Sequence, residues 1–179
     1  MSKGTLLAVD PATRSGWAWY DGGKLRDFGA VQTTAREARD ILCAVGSCGV
    51  IARGGRGFRP DAVVTFTRTR GTPPTLAIEE HTIPRNRRTS RLLIENRMRW
   101  ECAAEAMGWR VERVNSQTWQ RVMVGLGTSA QRKAHAVELA HGLVRRDIGV
   151  AWDRRPNADE ADAICLGSYW LRTNAHVVP

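Results

Sequence analysis

The chain has 179 residues, of which 42% are hydrophobic and 25% charged, the balance of a folded globule with one core and a single domain over residues 1–179. No apolar run approaches the ~18 residues of a membrane span, and a strand pattern starts so early that no signal peptide is expected before it. The formal net charge is +9, and of the 27 cations only Lys3, Lys24 and Lys133 are lysines. The positive charge is therefore guanidinium, whose planar fork suits phosphate, and a nucleic-acid partner is expected.

Leu6 to Val9 is an apolar run ending in Asp10-Pro11, and Gly16 closes a turn before Trp17-Ala18-Trp19-Tyr20. Asp21-Gly22-Gly23 is a hairpin signal and Lys24 to Gln32 alternates, so the chain opens with three antiparallel strands. Asp10 stands where the first strand leaves the core, although Asp-Pro is also an ordinary turn former. Thr33 or Thr34 caps a helix from about Ala35 to Val45, with Ala38, Ile41, Leu42 and Val45 on one face. The glycine-rich stretch from Gly46 to Pro60 carries Arg53, Arg56 and Arg59 and reads as a loop. Ala62 to Phe66 fits a short strand or the end of a broken helix equally well. A basic turn with Arg68 and Arg70 then leads to Thr75-Leu76-Ala77-Ile78-Glu79-Glu80-His81.

That stretch reads as a buried strand running into two carboxylates. A charge at the end of a strand buried on both faces needs a partner, and a metal ion is one. Beyond it, Arg85, Arg87, Arg88, Arg91 and Arg97 gather in the first half of a long helix that ends near Met107, before Gly108. Leu93, Arg97, Trp100, Ala104 and Met107 form its apolar stripe, with Ile94 and Met98 beside it. A run of one sign on such a helix predicts a phosphate track. Trp109 to Val114 is a fifth strand. Asn115 or Ser116 caps a short helix through Met123, and a helix from Ser129 to about Arg146 carries Arg132 and Lys133 at its start.

In the last helix Asn157 and Glu160 have capping-box spacing. Asp159 and Asp162 are three residues apart, so both carboxylates leave on one side while Ala161, Ile164, Cys165 and Leu171 face the core. Helix-dipole stabilisation alone would also place acids in a first turn. The four cysteines, Cys43, Cys48, Cys102 and Cys165, show no C-x-x-C pair and are expected to be buried free thiols in a reducing cytoplasm.

Asp10, Glu79, Asp159 and Asp162 come from three remote segments, and each segment ends or starts at an acid. Four carboxylates share a small site only if cations neutralise them or some are protonated. Hard oxygen ligands of this kind suit Mg2+ or Mn2+. On a basic chain, two such ions would clamp a scissile phosphate and activate water.

The motifs LLAVDPATRSGWAW, LAIEEHTIPRNRRTS, NSQTWQRVMVGLGTSAQRKAHAV and NADEADAICLG resemble the RuvC type of Holliday-junction resolvase. The resemblance implies an α/β, ribonuclease H-like fold with a mixed five-stranded sheet flanked by helices. It implies Asp10, Glu79, Asp159 and Asp162 as catalytic, metal-binding acids holding Mg2+ or Mn2+, two ions per site, with Glu80 and Glu160 pointing away. It also implies a homodimer making paired nicks in four-way DNA junctions, in the cytoplasm with the nucleoid. DNA contacts are expected from Arg68, Arg70, Arg85, Arg87, Arg88, Arg91, Arg121, Arg132 and Lys133. The chain departs from the family at two lysine positions, occupied by Gln120-Arg121 and Gln131-Arg132-Lys133, and at an aromatic position, occupied by Thr82. Phe58 is a candidate base-stacking ring in its place. Two other readings use the same residues: a flap or RNA–DNA hybrid nuclease on this fold, and a junction-binding architectural protein with an idle acid cluster.

Overall fold

The structure is a computed structural model that describes residues 4–46, 73–81, 86–149 and 154–174. Its elements run β1 (Leu6–Asp10), β2 (Arg14–Asp21), β3 (Lys24–Gln32), α1 (Ala35–Gly46), β4 (Thr75–Glu80), α2 (Arg87–Ala106), β5 (Arg110–Asn115), α3 (Ser116–Met123), α4 (Ser129–Asp147) and α5 (Ala158–Thr173). The five strands form one mixed sheet in the order β3-β2-β1-β4-β5. The first three pair antiparallel, as short links require, while β4 joins β1 and β5 in parallel. Gly22 and Gly23 both take positive φ, 60° and 79°, which is the two-residue turn that matches the twist of a hairpin.

The pleat divides the core into two. Leu7, Val9, Leu76 and Ile78 pack with Ala38, Leu42, Trp100 and Ala104 of α1 and α2. Leu6, Ala8 and Ala77 pack on the other face with Trp119 of α3, Ala140 and Val144 of α4, and Ala161 and Ile164 of α5. Helix α5 lies close against β1 and β2 because two glycines permit it. A Cβ at Gly167 would stand 2.3 Å from the Tyr20 ring and 3.0 Å from the Ala8 Cβ. A Cβ at Gly16 would stand 1.9 Å from the backbone oxygen of Asp159, so glycine there lets the first turn of α5 reach the end of β1. The Tyr20 hydroxyl donates to the Ile164 carbonyl at 2.6 Å and ties the same contact from within.

Helix α2 differs from its expected packing in detail. Trp100 and Ala104 are fully buried, with Leu93, Arg97 and Met107 partly buried beside them, as the stripe predicts. Ile94 and Met98 are instead exposed, because four residues advance only ~40° and both sit across the helix from Trp100. Arg97 joins the core side as an ion-pair partner of Glu80 and Glu101, each at 3.3 Å, and so leaves the phosphate track. Cys165 is buried as expected, Cys43 is half-buried and Cys102 is exposed. Cys48 and the segment Ala62 to Phe66 lie outside the described residues.

Candidate metal centre

Parallel pairing of β1 and β4 is registered through Val9↔Ile78, and the next residue of each strand is an acid. Strand alternation puts Asp10 above Ala8 and Glu79 above Ala77, on the face covered by α3, α4 and α5. His81, two residues past Glu79, returns to the same face. Its Nδ1 lies 2.9 Å from Glu79 Oε1 and its Nε2 lies 3.5 Å from Asp10 Oδ1. Asp10, Glu79 and His81 each bring one possible ligand atom within 4.8 Å of the others. Glu79, 3% exposed, is also held from the far side, where the buried Trp119 Nε1 donates to its Oε2 at 3.0 Å.

Asp159 in the first turn of α5 and Asp162, three residues on, lie on one side of the helix and are half-buried. They are outside that 4.8 Å group, yet their charges reach it. Burial pushes the Asp10 carboxyl well above its ordinary value, and Glu79, Asp162 and Asp159 push it further against the pull of His81. Burial and then the Glu79 charge push Asp162 up to about 7, against Lys133 and with Asp159 adding to the rise. Burial alone would lower the His81 pKa, but the hydrogen bond and charge of Glu79 and the charge of Asp10 raise it. The two neighbouring acids turn away: Glu80 pairs with Arg97, while Glu160 closes the capping box with Asn157 and pairs with Arg154 at 2.9 Å.

This arrangement fits a divalent cation. Asp10 is 8% exposed, and its Oδ1 is buried with no hydrogen-bond partner, an expensive state for a carboxylate oxygen unless an ion occupies the space it faces. The possible donor set is two carboxylates with one imidazole, and Asp159 and Asp162 add two more negative charges within electrostatic reach.

The basic residues fall into three groups. Arg87, Arg88, Arg121 and Lys133 are exposed. Arg91 is exposed but holds Glu95 at 2.6 Å, and the half-buried Arg132 donates to Gln120 Oε1 at 3.1 Å. Arg68, Arg70, Arg85, Phe58 and Thr82 lie outside the described residues. Two residues at the centre were not singled out from sequence, His81 and Trp119. His81 had a readable signal, its spacing of two from Glu79 on a strand. Trp119 had none, because a tryptophan on a short amphipathic helix reads as core.

A five-stranded mixed sheet in this order, with helices on both faces and acids at the ends of its two central strands, is a ribonuclease H-like fold. Within that class the chain is similar to RuvC of Thermus thermophilus. It superposes on "T. thermophilus RuvC in complex with Holliday junction substrate" with a TM-score of 0.60 and 14% identity, over 96% of each chain. It superposes on the "Thermus thermophilus RuvC structure" with a TM-score of 0.58 and 16% identity, over 95% of this chain and 96% of that one. No family model and no curated protein matches the sequence. At these identities the likeness is one of fold.

Proposed function

We propose that the chain is a divalent-metal-dependent endonuclease that resolves four-way DNA junctions by paired nicks, each leaving a 5′-phosphate and a 3′-hydroxyl. The observation that carries the reading is the buried Oδ1 of Asp10, which makes no hydrogen bond, lies 3.5 Å from His81 Nε2 and is within reach of the charges of Glu79, Asp159 and Asp162. The ribonuclease H-like fold and the RuvC neighbour bound to a Holliday junction support the choice of substrate.

Asp10 and Glu79 would hold the cation from the sheet, and Asp159 and Asp162 would approach it from α5. When bound, such ions polarise the scissile phosphate and lower the pKa of the attacking water. The chain's own contribution is positioning. Trp119 and His81 hold Glu79 by both oxygens, so its carboxylate enters the site in one orientation. The capping box at Asn157 and Glu160 fixes the first turn, which carries Asp159 and leads into Asp162. Arg87, Arg88, Arg121 and Lys133, all exposed, receive the DNA backbone. A four-way junction is close to two-fold symmetric, so two symmetric cuts ask for two copies of the chain. The outer face of α2, where Ile94 and Met98 are 41% and 50% exposed, is the surface for that pairing.

End-labelled junction, flap, RNA–DNA hybrid and linear duplex, each with Mg2+ or Mn2+, test the reading. Symmetric nicks in the junction are expected. Glu79→Gln should bind the junction at least as tightly and lose cleavage by at least ~100-fold. A chain that binds junctions and nicks none of these substrates is an architectural protein. Preferential cutting of flap or hybrid moves the activity to another substrate.

A further inference from the structure

We infer that His81 is a nitrogen ligand of the bound cation, through Nε2, and that it biases the centre toward a transition-metal ion, Mn2+, over Mg2+. The inference rests on the metal-dependent reading above and goes beyond its set of four acids. Four observations carry it. Strand periodicity returns His81 to the face of Glu79, just beyond the end of β4 at Glu80. Its Nδ1 is committed to Glu79 Oε1 at 2.9 Å, so Nδ1–H donates and Nε2 is the atom left to face Asp10. Nε2 and the Asp10 Oδ1 that it faces are both buried and neither meets a side-chain hydrogen-bond partner, while the Pro11 carbonyl lies near enough to the His81 ring to help raise its pKa. The gap between those two atoms is 3.5 Å, long for a hydrogen bond and ordinary for two ligands of one ion, each ~2.1 Å from it.

A metal-binding imidazole commonly donates its other N–H to a carboxylate, which fixes the tautomer and the ring plane. Glu79 provides that carboxylate, itself anchored by Trp119, and so orients the ring from the side away from the ion that Nε2 and Asp10 would share. Any proton on Nε2 is displaced when the ion binds. Mg2+ is hard and prefers oxygen, whereas a first-row transition ion accepts an imidazole nitrogen at less cost. A Glu-x-His pair on one strand end thus makes a mixed oxygen–nitrogen centre out of a carboxylate one.

Pulsed electron paramagnetic resonance on the Mn2+-loaded full chain, made with 15N-labelled histidine, reads the bond directly. A 15N hyperfine coupling is expected in the wild type, and it should vanish in His81→Asn. Calorimetry should find Mn2+ affinity in His81→Asn reduced ~10–100-fold, and Mg2+ affinity reduced less. Mn2+ bound with no histidine coupling in the wild type overturns the inference and leaves the metal-dependent reading standing. No Mn2+ bound at all overturns both. Should His81→Asn fail to fold, His81→Gln replaces it, since the chain has four histidines and only loss of the coupling assigns it to His81.

Discussion

A single carboxylate behaves according to what surrounds it, and this chain holds two opposite cases. Asp10 and Asp162 sit among like charges, so burial and repulsion raise both. Asp147, at the end of α4, sits among cations. Burial works against its charge, but the Arg146 guanidinium at 2.6 and 2.9 Å, the Leu25 N–H at 3.0 Å and the Lys24 charge outweigh it and hold the carboxyl below its usual value. A folded-state pKa below the unfolded one contributes stability that is whole above pH ~4 and is lost as pH falls through the folded value. Asp147→Asn is therefore expected to cost on the order of 1 kcal/mol at pH 7, the scale of charge-assisted hydrogen bonds with an exposed partner. Urea titrations at successive pH values should show that difference shrink below pH 4. A difference that stays constant down to pH 2 would mean that the Asp147 charge contributes nothing.

Helix α5 is the element on which the metal centre turns, since its first turn must come within reach of β1. The capping box settles where the helix starts, and Gly16 settles how near it lies. The atom that an added Cβ at Gly16 would strike is backbone, so no rotamer change relieves the overlap and the turn itself must move. Gly16→Ala should lower stability by ~1–3 kcal/mol, the range for overpacking, and should weaken Mn2+ binding as Asp159 and Asp162 retreat. Gly142, in the middle of α4 with open space around it, is the control. Gly142→Ala should raise stability by ~0.5–1 kcal/mol and leave Mn2+ affinity alone. Equal Mn2+ affinity in Gly16→Ala and the wild type would show that the close approach serves packing and not the centre.

For the whole molecule, the proposed paired nicking would require a pair of chains. Of the apolar stripe of α2, Trp100 serves the core, where its Nε1 donates to Ser15 Oγ at 3.1 Å, while Leu93 is half-buried at its edge. The surface available for a partner is the opposite face, with Ile94 and Met98. Aspartate at both positions adds two charges to exposed sites, so folding should change by less than ~1 kcal/mol. In an apolar interface the same charges would be buried unpaired, so the doubly substituted chain should sediment as a monomer and nick junctions on one strand only. A wild-type chain that is monomeric with and without junction DNA would remove the basis for this interface.

The order of strands and helices was legible in the sequence because each element carried its own local period. LLAVD and TLAIEE are too apolar for anything but buried strands, Gly22-Gly23 demands a hairpin, and Asn157 with Glu160 marks a helix start. Asp10, Glu79, Asp159 and Asp162 could be named because each lies near the edge of such an element, and turn formation and the helix dipole account for single acids but not for the set. Local pattern could not say which side of a residue faces its neighbours from other elements. Ile94 and Met98 were placed beside the stripe of α2 and lie outside it, because their burial depends on where α1 and the sheet end. The tertiary structure alone decided that Trp119 holds Glu79, that Arg97 belongs to an ion-pair network, and that Nε2 of His81 faces Oδ1 of Asp10. The first and last of these join segments dozens of residues apart, and they exist only once parallel pairing has set β1 beside β4 and brought α3 and α5 over their ends.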